Sequence, residues 1–125
     1  MAVVYVVQKQ MKVDPRSGDM VSRFDLTQAE PYGTIEYLLS PKARPYAAGG
    51  IIAELYRKLD TFSDEDYLLL VGNQCLVGLA MSVASDVNDG VVNILQWSGR
   101  DQAYVEIKAN INDPEDDFPG TYSNG

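Results

Sequence analysis

The sequence predicts an α/β domain with a parallel centre, and three observations carry that expectation. Residues 34–39, 67–71 and 91–97 are short apolar segments rich in strand-forming side chains. Segments of crossover length lie between them, and within those the apolar period changes from two to 3.6. The run Tyr67-Leu68-Leu69-Leu70-Val71 has no polar break, as suits a central strand covered on both faces. The expected architecture is a mixed sheet in two or three layers: a parallel β-α-β-α-β centre, antiparallel hairpin edges and two main helices.

Taken in order, Val3 to Gln10 is β-branched and aromatic and passes into Met11-Lys12-Val13 as a strand. Asp14-Pro15-Arg16-Ser17-Gly18-Asp19 supplies a turn, and Met20 to Leu26 returns as its hairpin partner. The chain turns again at Pro31-Tyr32-Gly33 before the strand at 34–39, which Pro41 and Pro45 terminate. Ile51, Ile52, Leu55, Tyr56 and Leu59 form one stripe opposite Glu54, Arg57, Lys58 and Asp60, so residues 50–61 are expected to be an amphipathic helix. A second helix is expected over 74–88, where Gly78, Ala80, Ala84 and Ser85 would let it lie close to a sheet, with Asn88-Asp89-Gly90 closing it. Ser98-Gly99-Arg100-Asp101 then joins strand 91–97 to an antiparallel return over 103–111. The domain is expected to span 1–111. Residues 112–125 lose all periodicity and are expected to be a disordered acidic tail.

Composition removes whole classes of chemistry. The 125 residues include no His and one Cys. That excludes Ser-His-Asp and Cys-His catalysis, His-ligated and multi-Cys metal sites, and a disulfide within the chain. The net charge is −8, from 18 acids and 10 bases. Four of those acids, Asp113, Glu115, Asp116 and Asp117, lie near the C-terminus, which leaves 14 to face all 10 bases in positions 1–112. A field of that sign disfavours nucleic acid and anionic membrane, and Lys42 and Arg44 with Arg57 and Lys58 are the densest basic grouping. No apolar run approaches the ~20 residues of a membrane span. One Cys and no export signal fit a reducing cytoplasm.

Candidate sites follow from the expected topology, since ligands of open parallel sheets bind beyond the carboxyl ends of the strands. The turn Gly72-Asn73-Gln74 leads into a helix whose first N–H groups could face an anion, and Ser98 lies at the same edge. Against this, Asn73 serves equally as a turn residue and helix cap. Neither Gly-x-x-x-x-Gly-Lys-Ser/Thr nor Gly-x-Gly-x-x-Gly occurs, and no metal site or cofactor is implied. Asp64-Glu65-Asp66 precedes a strand, which puts it at the opposite edge as a solvated turn. Glu36 is expected to face solvent, and Cys75 to be a small core residue. Eight Tyr in this length favour an interaction surface, with Tyr32, Tyr46, Trp97 and Tyr104 as its candidates and Trp97 packing on Tyr104 across the hairpin.

The stretches Phe24 to Gly33, Phe62 to Asn73, and Val91 to Trp97 with Tyr104-Val105 resemble a group of small uncharacterised proteins encoded by tailed bacteriophages, including short-tailed phages of marine and other bacteria. The resemblance spans most of positions 3–108 and supplies no catalytic residue. Asn73-Gln74 stands where that group more often has Asp-Pro, which keeps the turn but removes a carboxylate. The expectation is a non-enzymatic phage accessory protein that binds a host or phage protein and forms a homodimer. The alternative is a nucleotide- or small-ligand-binding domain using the Gly72-Asn73-Gln74 turn.

Overall fold

The N-terminal apolar run enters the middle of the sheet. In a computed structural model that describes residues 2–113, the elements run β1 (Val3–Gln8), β2 (Met11–Val13), β3 (Met20–Ser22), a 3-10 helix (Thr27–Tyr32) and β4 (Thr34–Leu39). A short 3-10 turn (Pro45–Ala47) and α1 (Ala48–Lys58) follow, then β5 (Tyr67–Leu69), α2 (Gln74–Val87), β6 (Val91–Ser98) and β7 (Ala103–Asn110). The central sheet has the order β4-β1-β5-β6-β7, with β2 and β3 in a separate two-stranded sheet. β1 is parallel to both β4 and β5, β5 is parallel to β6, and β7 alone is antiparallel.

This bears out the mixed α/β sheet with a parallel centre, an antiparallel hairpin edge and two main helices. The N-terminal hairpin departs from expectation. The chain breaks at Lys9-Gln10, so β1 leaves the hairpin and only β2 and β3 pair there. The physical reason is burial: Val4, Val6 and Val7 are fully buried, and such a strand needs cover on both faces, which an edge position cannot supply. Met20 to Leu26 is likewise shorter as a strand than expected. Asp25 accepts hydrogen bonds from the Thr27 N–H (2.9 Å) and hydroxyl (2.5 Å), which turns the chain into the 3-10 helix.

Connection handedness explains the two faces. The steps from β4 to β5 and from β5 to β6 run in one direction across the sheet and carry α1 and α2 on one face. There Ile51, Leu55, Leu76 and Ala80 pack with Tyr5, Val7, Leu68 and Val92. The step from β1 to β4 runs the opposite way and returns over the other face, where Ala29 packs with Val4, Val6, Leu69 and Leu95. Ala80 and Ala84 are fully buried and let α2 approach the strands closely, whereas Gly78 is exposed. The Tyr56 hydroxyl donates to Asp86 at 2.7 Å and ties the two helices together.

The amino edge is fastened by Asp66, which is 4% exposed. Its carboxylate accepts from the Val3 N–H (2.9 Å), the Ser63 N–H (2.9 Å) and the Ser63 hydroxyl (3.2 Å). The Asp64-Glu65-Asp66 turn therefore lies at the expected edge, but its last member is a buried structural group and not a solvated one. Among the described residues, no three His, Cys, Asp or Glu side chains are grouped to hold a metal ion, and no helix is long and apolar enough to cross a membrane. Most of the expected acidic tail, from residue 114 on, lies outside the described residues.

Candidate functional site

The sheet order places a topological switch between β1 and β5, because the chain leaves β1 toward one edge and returns past it toward the other. Gln8 ends β1 at this point and is 3% exposed. Its amide nitrogen donates to the Ser40 and Ala43 carbonyls, each at 3.1 Å, and its oxygen accepts from the Asn73 N–H at 2.9 Å and from Gln10 at 3.1 Å. Gly72, at φ +140°, lies against it, where a Cβ would come within 2.7 Å of the Gln8 Cβ. Asn73 caps α2, its side-chain oxygen accepting from the Cys75 N–H (2.9 Å) and the Leu76 N–H (3.4 Å). The Asn73, Cys75 and Leu76 N–H groups at the turn singled out from sequence are therefore already engaged within the chain. Beside it lies a crevice of about 400 Å³ whose rim carries Lys42, Arg44 and the exposed Tyr46.

A second cavity lies at the same carboxyl edge, on the face that α1 and α2 leave uncovered. It is an apolar groove of about 490 Å³ between the segment Phe24–Leu26 and the ends of β5, β6 and β7. Leu69 and Leu95 form its buried floor, and Phe24, Leu70 and Trp97 are 44%, 40% and 43% exposed. Trp97 and Tyr104, opposite one another across the hairpin, meet edge to face with ring centroids 5.1 Å apart. Burial, followed by the nearby Asp25 charge, pushes the Tyr104 hydroxyl up from its ordinary pKa. Hydrogen bonds from Thr27 hold Asp25 below the usual carboxylate range, so the groove carries one ionised group at its rim.

The sequence candidates separate. Trp97 and Tyr104 line the groove. Tyr32 lies beside it, edge to face on Tyr67 at 5.5 Å, with its hydroxyl donating to the Tyr104 carbonyl at 3.4 Å. Tyr46 stands apart at the crevice, and Ser98 closes the hairpin by bonding Asp101. Gln74 opens α2 and is exposed, as is Glu36 on β4. Cys75 is exposed, not a core residue, because the first turn of α2 presents it away from the sheet. Sequence reasoning missed Phe24, Leu70 and Gln8. The available signal for Gln8 was an amide side chain directly after the five-residue β-branched and aromatic run Val3 to Val7, and for Phe24 an aromatic ahead of an Asp-x-Thr turn.

These observations define a class: a small mixed α/β domain whose carboxyl edge presents a largely apolar aromatic groove. The family described as Phage Pam3 gp32-like protein matches residues 2–111, and the chain belongs to that family of phage-encoded proteins. No curated protein matches the chain, and no solved structure does.

Proposed function

We propose that the protein is a non-enzymatic accessory factor of the phage that acts by holding a protein partner in the Phe24–Trp97–Tyr104 groove. The observation that carries this reading is the groove itself, in which three large apolar side chains remain two-fifths exposed over a buried floor. Here Asp25 is the single charged group on a mostly apolar lining that also carries Gln96 and Tyr104, which suits an aromatic or aliphatic anchor from a partner chain with a basic residue beside it. The acidic balance of positions 1–112 favours the same partner. A photoreactive phenylalanine analogue at position 70 should crosslink a phage or host protein in infected cells, while the same group at the exposed Ser82 on α2 should not. Equal crosslinking at both positions, or none at 70, counts against the groove.

A second reading rests on the crevice rimmed by Lys42 and Arg44 at the topological switch, where a nucleotide or other small anion would bind. An anion at ~100-fold over its dissociation constant adds about 2.7 kcal/mol to stability. A thermal-shift series with nucleotides and inorganic phosphate tests it, and no shift at such concentrations removes it.

A further inference from the structure

The outer edge of the sheet is a strand with no further strand beside it among the described residues. β7 is the last strand in the sheet order, and its ladder with β6 runs without a bulge from Ser98 opposite Ala103 to Val91 opposite Asn110. Val105, Glu106, Ile107 and Lys108 are exposed, and no Pro interrupts residues 103–110. A long, regular, partly apolar edge of this kind is a template for another strand, and proteins ordinarily blunt such edges with bulges, Pro or several Lys.

We propose that β7 pairs antiparallel with β7 of a second copy about a twofold axis through Ile107, joining the two sheets into one. Charge complementarity selects both the occupant and the register. In an antiparallel pair the residues opposite one another share a face, so the axis must pass through a residue position. An axis at Glu106 sets Glu against Glu, and one at Lys108 sets Lys against Lys, both unfavourable. An axis at Val105 limits the overlap to residues 103–107. The axis at Ile107 sets Glu106 opposite Lys108 of the second copy twice over, and uses nearly the whole strand. On the helix-bearing face it places Ile107 on its own copy and Val105 on Ala109, which covers the two large apolar side chains that β7 exposes there, 44% for Val105 and 40% for Ile107. Lys108 has no ion-pair partner among the described residues, so it is available for this contact. Glu106 accepts the Tyr67 hydroxyl through one oxygen at 2.5 Å, which leaves its other oxygen for Lys108. Of the groove residues the pairing reaches only Tyr104, whose backbone would lie opposite Asn110 of the second copy; Phe24, Leu70 and Trp97 lie outside it, so the dimer can fail without the reading above failing.

Sedimentation equilibrium of the full chain is expected to show a monomer–dimer equilibrium. Lys108→Glu, which turns both ion pairs into like-charge contacts, should weaken the dimer by about tenfold or more. Glu106→Lys should do the same. Mixing these two variants should restore association, because each then faces the opposite charge. Ile107→Asp, which brings two carboxylates together on the axis, provides a check independent of Glu106 and should also dissociate the dimer. A wild-type chain that stays monomeric at high micromolar concentration overturns the proposal. So does a dimer unaffected by Lys108→Glu, or a mixture that associates no better than either variant alone.

Discussion

Gln8 and Asn73 are joined across the switch point of the sheet: the Gln8 side-chain oxygen accepts the Asn73 N–H at 2.9 Å, linking the end of β1 to the cap of α2. The same side chain donates to the Ser40 and Ala43 carbonyls, so one buried amide fixes three segments at the carboxyl edge. Gln8→Leu keeps the bulk but leaves those groups unpaired, at a cost of about 2 kcal/mol. Gly72→Ala should lose about 2 kcal/mol or more, since its φ of +140° strains an L side chain and its Cβ would meet Gln8 at 2.7 Å. Urea unfolding midpoints of the two variants check both values.

Asp66 does the corresponding work at the amino edge, where its carboxylate gathers the Val3 N–H and both donors of Ser63. Asp66→Ala should destabilise the fold by about 3 kcal/mol, because buried donors to a charged acceptor lose it together. Asp64→Ala, an exposed neighbour whose carboxylate meets only the Asn88 amide among the described residues, should cost less than about 1 kcal/mol in the same urea series.

The Trp97–Tyr104 pair should be worth about 1 kcal/mol beyond its burial. A double-mutant cycle with Trp97→Ala and Tyr104→Ala isolates that term. A coupling near zero would mean that the two rings act only as separate apolar surface.

Tyr67 donates to Glu106, and the carboxylate pushes its hydroxyl from the ordinary 10.0 up to about 12. The folded state therefore holds this proton more tightly than the unfolded state. The resulting stability is fully present below pH 10 and is lost as pH rises toward 12. Glu106→Gln removes the charge and should bring the Tyr67 titration back toward its ordinary value. Phenolate absorbance during an alkaline titration of both proteins reads the difference.

Local pattern made much of this molecule legible. The stripe Ile51, Leu55, Leu59 placed α1, the unbroken run from Tyr67 placed β5, and Trp97 opposite Tyr104 followed from the hairpin length. What was hidden depended on partners distant in the chain. The four residues Val4 to Val7 carry the same signal as β5, yet only the sheet order shows that β1 lies between β4 and β5. Asp66 looks like any acidic turn residue until Val3, far away in sequence, donates to it. Phe24 and Leu70 are ordinary apolar residues whose exposure arises because the helices both lie on the other face. The Gly72-Asn73 turn was legible in position, but its hydrogen bonds to Gln8 and within α2 could not be read from spacing.

The central claim is that the groove holds a protein partner, and affinity capture with paired baits tests it most directly. Wild-type protein and Trp97→Asp, matched in fold by circular dichroism, would be exposed to lysate of phage-infected cells. The account predicts a specific phage or host protein retained by the wild type and lost with Trp97→Asp. The same proteins retained by both baits, or none retained by the wild type, would contradict it.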